Sequence, residues 1–309
     1  MTRVAVVGVG ALGQHHARVY AGLDRVQLVG VYDTNEGRAA EVAARHDIRT
    51  LSGLGEVASA ADAVSVAVPT VDHYSVTRAL LDLGKDVLLE KPMTTTLEEA
   101  DELIRVAEER GAVLQIGHIE RFNPAVEILR REVREPRFIE VHRLGVFSPR
   151  SLDVDVVLDL MIHDLDIILS LDGSEVVQVD AVGVPVLSDK VDIANARLRF
   201  ASGLIANLTA SRVSTDKVRK FRVFARRTYI SADLAAREAQ VSRLEAASAG
   251  GMPRIVVERS AAPDEEPLER QLAAFVGAVR DRTAPVVPGS DGRRALALAT
   301  LVLKRMNES

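Results

Sequence analysis

Val4-Ala-Val-Val-Gly8-Val-Gly10-Ala-Leu-Gly13-Gln-His-His16 is the stretch whose reading decides the fold. An apolar, β-branched run, Val4 to Val7, meets a Gly-x-Gly-x-x-Gly turn that opens onto helix-prone sequence ending near Tyr20. That is the strand, tight turn and helix of a dinucleotide-binding unit. Gly8 allows the turn, Gly10 lets the backbone approach a pyrophosphate with no Cβ in the way, and Gly13 lets the helix pack against the strand. The anion then rests on N–H groups of the helix start, which places Ala11 and Leu12 at the cofactor. A second strand-like run, Val26 to Tyr32, ends at Asp33, twenty residues beyond Gly13. A carboxylate there accepts hydrogen bonds from a ribose diol and repels a 2′-phosphate, so NAD is expected over NADP. Thr34 and Arg38 follow in the same segment, and Arg38 is the complication because it could reach such a phosphate.

The chain of 309 residues is long enough for two domains. Its 47% hydrophobic and 27% charged content is that of a globular protein, and a net charge of −5 offers nothing to nucleic acid or an anionic membrane. There is no cysteine, which excludes disulfides, thiolate chemistry and Cys-ligated zinc. Arg3 and the apolar run after it superficially resemble a signal peptide, but the glycines and then Gln14, His15 and His16 interrupt it. No run approaches the roughly 18 apolar residues of a membrane span. The expectation is a cytoplasmic protein.

Beyond Asp33, strands and helices alternate. Glu36 to Arg45 reads as helix and Ala63 to Val68 as a buried strand. Pro69-Thr70 with Asp72 and His73 reads as a loop into the helix Tyr74 to Leu83, which Gly84 ends, and Val87 to Glu90 as the next strand. Thr96-Leu-Glu-Glu99 has capping-box spacing and starts a helix ending at Arg110-Gly111. Val113 to Ile116 returns as strand, and Asn123-Pro124 reads as an N-cap followed by proline at the first helical position. Such alternation implies parallel βαβ units with ligands beyond the strands' carboxyl ends, where Asp33, Pro69-Thr70 and Glu90-Lys91-Pro92 all fall.

The domain boundary is expected at residue 120, giving a dinucleotide-binding domain 1–120 and a second domain 121–309. In the latter, Phe138 to Phe147 reads as strand and Val156 to Leu169 as helix. Two runs then alternate with period two, Ala194, Ala196, Leu198, Phe200 and Leu204, Ala206, Leu208, Ala210, joined by Ser202-Gly203, so the sheet is expected to be largely antiparallel. Residues 246–253 and 261–267 are turn-rich, and Leu268 to Arg280 and Arg294 to Met306 read as closing helices. The fold class is α/β, a doubly wound parallel sheet followed by an α+β domain on an open sheet.

The Gly-rich turn, Asp33, Val68-Pro69-Thr70 with His73, Glu90-Lys91-Pro92, Gly117-His118 with Arg121-Phe-Asn-Pro124, and Asp159-Leu-Met-Ile-His163-Asp164-Leu-Asp166 together resemble the glucose–fructose oxidoreductase / inositol dehydrogenase (Gfo/Idh/MocA) family. The motifs cover the first 170 residues, in order. The resemblance implies a Rossmann domain, an NAD(P)-dependent oxidoreductase acting on a sugar or polyol hydroxyl, and a second domain whose open sheet mediates a homodimer or homotetramer. It also implies cofactor contacts from Pro69, Thr70, His73, Glu90 and Lys91.

Lys91, just past a parallel strand, has an ammonium suited to stabilising charge on a reacting oxygen. Asp159 and His163 are four apart, on one face of the expected helix, and Asp166 continues that face. A carboxylate beside an imidazole suits proton transfer, so His163 is the candidate base, with Asp159 orienting it or the sugar. Lys91, Arg121, Asp159 and His163 form the candidate substrate set. Asp159, His163, Asp166 and His118 could also supply metal ligands, but hydride transfer to nicotinamide needs none, and no metal is expected. His15, His16, His46 and His142 read as structural or surface histidines.

The segments around Arg121 and His163 look most like the branch that oxidises nucleotide sugars, such as UDP-N-acetylglucosamine at C3, with Arg121, Arg143, Arg150 and Arg212 as candidate pyrophosphate partners. The competing readings are a free-sugar or inositol dehydrogenase, a biliverdin-reductase-like enzyme, and a non-catalytic NAD(P)-sensing regulator.

Overall fold

In the computed structural model, which describes residues 1–147, 154–245, 253–261 and 266–308, the first strand β1 (Thr2–Val7) buries Val4 to Val7 completely. Four successive buried residues mark a strand covered on both faces. The chain continues as α1 (Gly13–Gly22), β2 (Val26–Tyr32), α2 (Glu36–Arg45), β3 (Arg49–Thr50), α3 (Leu54–Ala60), β4 (Ala63–Val66), α4 (Thr70–Asp82), β5 (Asp86–Glu90), α5 (Leu97–Arg110) and β6 (Leu114–Gly117). The strands form one parallel sheet ordered β3-β2-β1-β4-β5-β6. The order reverses between β1 and β4, and the crevice at such a switch point is where doubly wound sheets hold their ligands.

Local chemistry explains the helix ends. The capping box forms: Thr96 Oγ1 accepts from Glu99 N–H and the Glu99 carboxylate from Thr96 N–H, each at 3.2 Å. Gly111, at φ 60°, closes α5 in the left-handed conformation. One expectation shifts. Thr70 to His73, read as loop, is the first turn of α4, because Pro69 presets a helix-compatible φ of −57°.

The second body of elements begins with a 3₁₀ turn, Ile119–Phe122, and α6 (Pro124–Glu132), capped by Asn123 Oδ1 accepting from Ala125 N–H at 3.1 Å. Then come β7 (Phe138–Leu144), a π turn at Val157–Met161, α7 (Ile162–Leu171), β8 (Val176–Val184), β9 (Ile193–Phe200), β10 (Ile205–Ser211), β11 (Val218–Ala225), β12 (Thr228–Asp233), β13 (Glu238–Glu245) and β14 (Arg254–Ala261). These eight strands are ordered β14-β13-β12-β11-β7-β10-β9-β8, antiparallel except for the parallel pair β7 and β10. The inward residues of β9 and β10 are buried as the alternation predicts, and α6, α7 and the end of the last helix cover that face. Two lengths differ from expectation: β7 stops at Leu144, and the helix expected over Val156 to Leu169 is the π turn followed by α7. The turn-rich residues 246–252 and 262–265 lie outside the described ones.

The chain closes with α8 (Pro267–Asp281) and α9 (Gly289–Asn307). The two compact units are Met1–Ile119 with Glu265–Arg293, and Glu120–Asp264 with Arg294–Ser309. A single cut at 120 therefore does not describe the chain: α8 places Leu272, Phe275, Val276 and Val279 in the core of the first unit, beside residues such as Val4, Val19 and Tyr20. Among the described residues no helix is long and apolar enough to cross a membrane.

Phe275 is fully buried in that core. Phe275→Ala is expected to lower unfolding stability by about 3–5 kcal/mol and to weaken NAD binding with it. Chemical denaturation with and without NAD checks this; an unchanged midpoint contradicts the placement of α8.

Candidate active site

The turn after β1 has no room for a Cβ at its first and last glycines. Gly8 has φ +82°, and a Cβ there would stand 2.7 Å from the carbonyl oxygen of Ala67. At Gly13 a Cβ would lie 1.8 Å from the Gly8 oxygen. Gly10 differs: its Cβ would meet only Arg38 Nη1, at 3.7 Å, because this glycine faces a pocket. The pocket has a volume of about 530 Å³ and is lined by Gly8, Gly10, Ala11 and Leu12 of the turn, Asp33, Thr34 and Arg38 after β2, and Ala67, Val68 and Pro69 after β4. Val7, Tyr32, Leu54, Asp72 and Val76 complete it, and sequence reading expected none of these five, nor Ala67 or Val68, at the cofactor.

Asp33 is fixed rather than free to swing. Its Oδ2 accepts from Val9 N–H at 2.9 Å and its Oδ1 from Asn35 N–H at 2.8 Å, and Arg38 Nη1 stands 3.7 Å from Oδ2. An acceptor held at the end of β2, a helix start whose preceding turn Gly10-Ala-Leu12 lines the pocket, and a side-chain-free approach at Gly10 fit an adenine dinucleotide.

The expected contacts outside this pocket have other surroundings. Gly13 is buried under the turn, and Thr70 begins α4. His73 is buried, with Nδ1 2.8 Å from the Pro92 carbonyl and Nε2 3.0 Å from the Val68 carbonyl. It joins the two turns that follow β4 and β5, which replaces the direct cofactor contact expected of it. Burial pushes its pKa down, against the pull of those carbonyls, so a neutral ring donates to one at a time.

Glu90 likewise points into the protein. Its carboxylate lies 3.2 Å from His16 Nε2 and accepts from Gln271 Nε2 at 3.4 Å and, through its other oxygen, from Lys91 N–H at 3.4 Å. Burial raises its pKa, but His16 and then Lys91 more than offset this and hold it below the usual range. Lys91 itself is half-buried at the turn after β5.

In the second unit, His163 is buried in the first turn of α7 and Asp159 is half-buried in the π turn before it. Such π turns interrupt helices at functional sites often enough to support the choice of this segment. Arg121 donates to Asp166 from Nε at 2.7 Å and Nη2 at 3.2 Å. Arg143 holds Asp164 with two bonds of 2.8 and 2.7 Å and Glu120 with one of 2.8 Å. Arg212 donates to Asp192 at 2.7 Å and to the Val154 carbonyl at 2.7 Å. All three guanidiniums are buried against carboxylates, so the pyrophosphate role expected of Arg121, Arg143 and Arg212, and the substrate contact expected of Arg121, give way to internal ion pairing. Arg150 lies outside the described residues. Burial pushes the Asp164 carboxyl up despite Arg143, while at Glu120 burial is more than offset by Arg143, Arg219 and Asn123 together, which hold it down. Among the described residues, no cluster of three or more His, Asp or Glu has an arrangement that could hold a metal ion.

Residues 2–118 match the family described as an oxidoreductase family with an NAD-binding Rossmann fold, and residues 132–231 match the GFO/IDH/MocA C-terminal domain. A UDP-N-acetylglucosamine 3-dehydrogenase from Acidithiobacillus ferrooxidans is 41% identical over 301 residues, 97% of this chain and 96% of its own. The chain belongs to the Gfo/Idh/MocA family. It is thus an NAD-dependent oxidoreductase, which sets aside the non-catalytic regulator. Within the Gfo/Idh/MocA family, an inositol 2-dehydrogenase from Rhizobium meliloti is 28% identical across 99% of this chain and 97% of its own. A solved structure of the Acidithiobacillus enzyme superposes with a TM-score of 0.94 at 40% identity, covering 99% of this chain and 98% of that one. A levoglucosan dehydrogenase in complex with NADH and levoglucosan, 18% identical with a TM-score of 0.88 over 99% and 97%, shares the fold.

Asp33→Asn removes the charge that discriminates between cofactors. It is expected to weaken NADH binding about 10–100-fold, the equivalent of a lost charged hydrogen bond, and to narrow the gap to NADPH. Fluorescence titration with both cofactors checks it; equal affinities in the unmodified protein rule out the preference.

Proposed function

We propose that this oxidoreductase oxidises a nucleotide sugar, UDP-N-acetylglucosamine at C3, to the corresponding ketone. The observation that carries the substrate is identity: the relative whose name specifies that reaction is 41% identical end to end, whereas the inositol 2-dehydrogenase is 28% identical. NAD, when bound, supplies the acceptor for the hydride that leaves the carbinol carbon. Lys91 then donates a hydrogen bond to the sugar oxygen and stabilises its negative charge as the C–H bond breaks. His163 takes the hydroxyl proton as general base, and Asp159 orients His163 or the sugar. The balance is alcohol plus NAD⁺ to ketone plus NADH plus a proton.

The protein acts in this reading as a cytoplasmic homodimer or homotetramer. On the outer face of the second sheet, Phe138, Phe224, Tyr229, Ser242 and Val257 pair in one row across five strands. Ring centroids are 5.7 Å apart for Phe138 and Phe224 and 4.9 Å for Phe224 and Tyr229. Ile255 beside the row is 71% exposed, Val257 50% and Val182 on β8 54%, an apolar surface that a second copy of the chain buries. Multi-angle light scattering at micromolar concentration should report a dimer or tetramer; monomer alone would rule it out.

Activity is tested by spectrophotometric NADH formation on a panel of nucleotide sugars, free sugars and inositols. UDP-N-acetylglucosamine should give the highest kcat/KM, and turnover of inositol in its place would replace this reading with the inositol one. Lys91→Ala should lower kcat about 10²–10³-fold and His163→Ala about 10²–10⁴-fold, with NAD affinity retained. Folded, NAD-binding variants within about threefold of wild type contradict these roles.

A further inference from the structure

Behind Lys91, four side chains from four elements form one buried polar chain. Ser65 on β4 has its Oγ 2.7 Å from His16 Nδ1; His16, on α1, has its Nε2 3.2 Å from Glu90 Oε1; Gln271 on α8 donates to that same oxygen. Ser65, His16 and Gln271 are at most 1% exposed, and Glu90 is 7% exposed. A carboxylate only accepts, so His16 presents Nε2–H to Glu90, while its Nδ1 and the Ser65 hydroxyl share the second bond.

Room for the carboxylate comes from the neighbouring strand. Gly117 on β6 is the register partner of Glu90 on β5, and a Cβ at Gly117 would stand 2.5 Å from Glu90 Oε1 and 2.8 Å from Oε2. Nothing about an ordinary core asks for this. A buried carboxylate costs more in desolvation than an apolar side chain of the same size, and its partners only offset that cost. What Glu90 adds is a fixed acceptor for the backbone N–H of the next residue, Lys91, at 3.4 Å.

We propose that His16 and Glu90 are positioning residues for the reaction: Ser65, His16 and Gln271 lock the Glu90 carboxylate, and the carboxylate sets the backbone from which Lys91 reaches the substrate oxygen. The inference rests on the role given to Lys91 above, and Asp33 and the cofactor pocket take no part in it. His16 joins α1, whose start faces the cofactor, to the turn that carries Lys91. A misplacement of a reacting group by about 1 Å can cost about 10²-fold in rate, so a lost lock should register in kcat.

The test is a double-mutant cycle on the 309-residue chain with the sugar substrate proposed above. His16→Leu, matched roughly in size but unable to bond either partner, should lower kcat about 10–100-fold while KM and the NAD dissociation constant stay within about threefold. His16→Gln, which keeps an amide donor for Glu90, should recover most of the loss. In a Lys91→Ala background, His16→Leu should cost no further kcat, because its effect passes through the missing side chain. Should His16→Leu fail to fold, Gly117→Ala, which displaces the Glu90 carboxylate, replaces it in the same cycle. A loss of equal size with and without Lys91 overturns the positioning role while leaving Lys91's own role intact. A Lys91→Ala enzyme with wild-type kcat overturns the role of Lys91 itself, and the two failures are read from different variants.

Discussion

No side chain fits between the turn after β1 and the helix that leaves it. With a would-be Cβ of Gly13 only 1.8 Å from the Gly8 carbonyl, α1 can start there only on a glycine. That contact places Gly10, Ala11 and Leu12 along the pocket that Asp33 closes from the neighbouring strand. It also sets what lies deeper. His16 follows Gly13 by one helical turn and so faces inward, onto Ser65 of β4 and Glu90 of β5. One steric constraint thereby fixes both the cofactor cradle and the polar chain behind Lys91.

The second unit holds its candidate base by different means. His163 lies between Leu160-Met161-Ile162 and the pair Asp164 and Asp166, and both aspartates are locked by buried arginines, Arg143 and Arg121. Breaking one partner of such a pair costs about 3–5 kcal/mol, whereas replacing the whole pair with apolar groups is often neutral. These ion pairs therefore specify the orientation of α7 more than they add stability. They also explain why arginines that look like phosphate ligands in the sequence lie buried against carboxylates instead.

The periodic parts of the chain were legible before the structure. Val4 to Val7, Gly8, Gly10, Gly13 and Asp33 carry their geometry in their own chemistry, and the capping box at Thr96 needs only its immediate neighbours. What was not legible depends on contacts distant in sequence. The alternation in β7 and β10 is the same whether the strands run parallel or antiparallel, so the parallel pair was invisible. Likewise the apolar stripe of α8 says that it is buried, not in which unit. Thr70 and Gly289 open helices although their residue types favour loops, because proline precedes each and presets the entry. At the site, His16 reads as any helical histidine until Glu90, seventy-four residues away, is placed against it. Arg121 and Arg212 misled for the same reason: a guanidinium's partner is a tertiary fact.

In the proposed reaction the C3 hydrogen of UDP-N-acetylglucosamine leaves as hydride to NAD. The most direct measurement uses that substrate carrying deuterium at C3 and mass analysis of the reduced cofactor after turnover. Deuterated NADH is expected, together with a slowed rate wherever hydride transfer limits turnover. Unlabelled NADH from the labelled sugar would place the oxidation at another carbon and contradict the assignment, and no NADH at all would remove this sugar as the substrate.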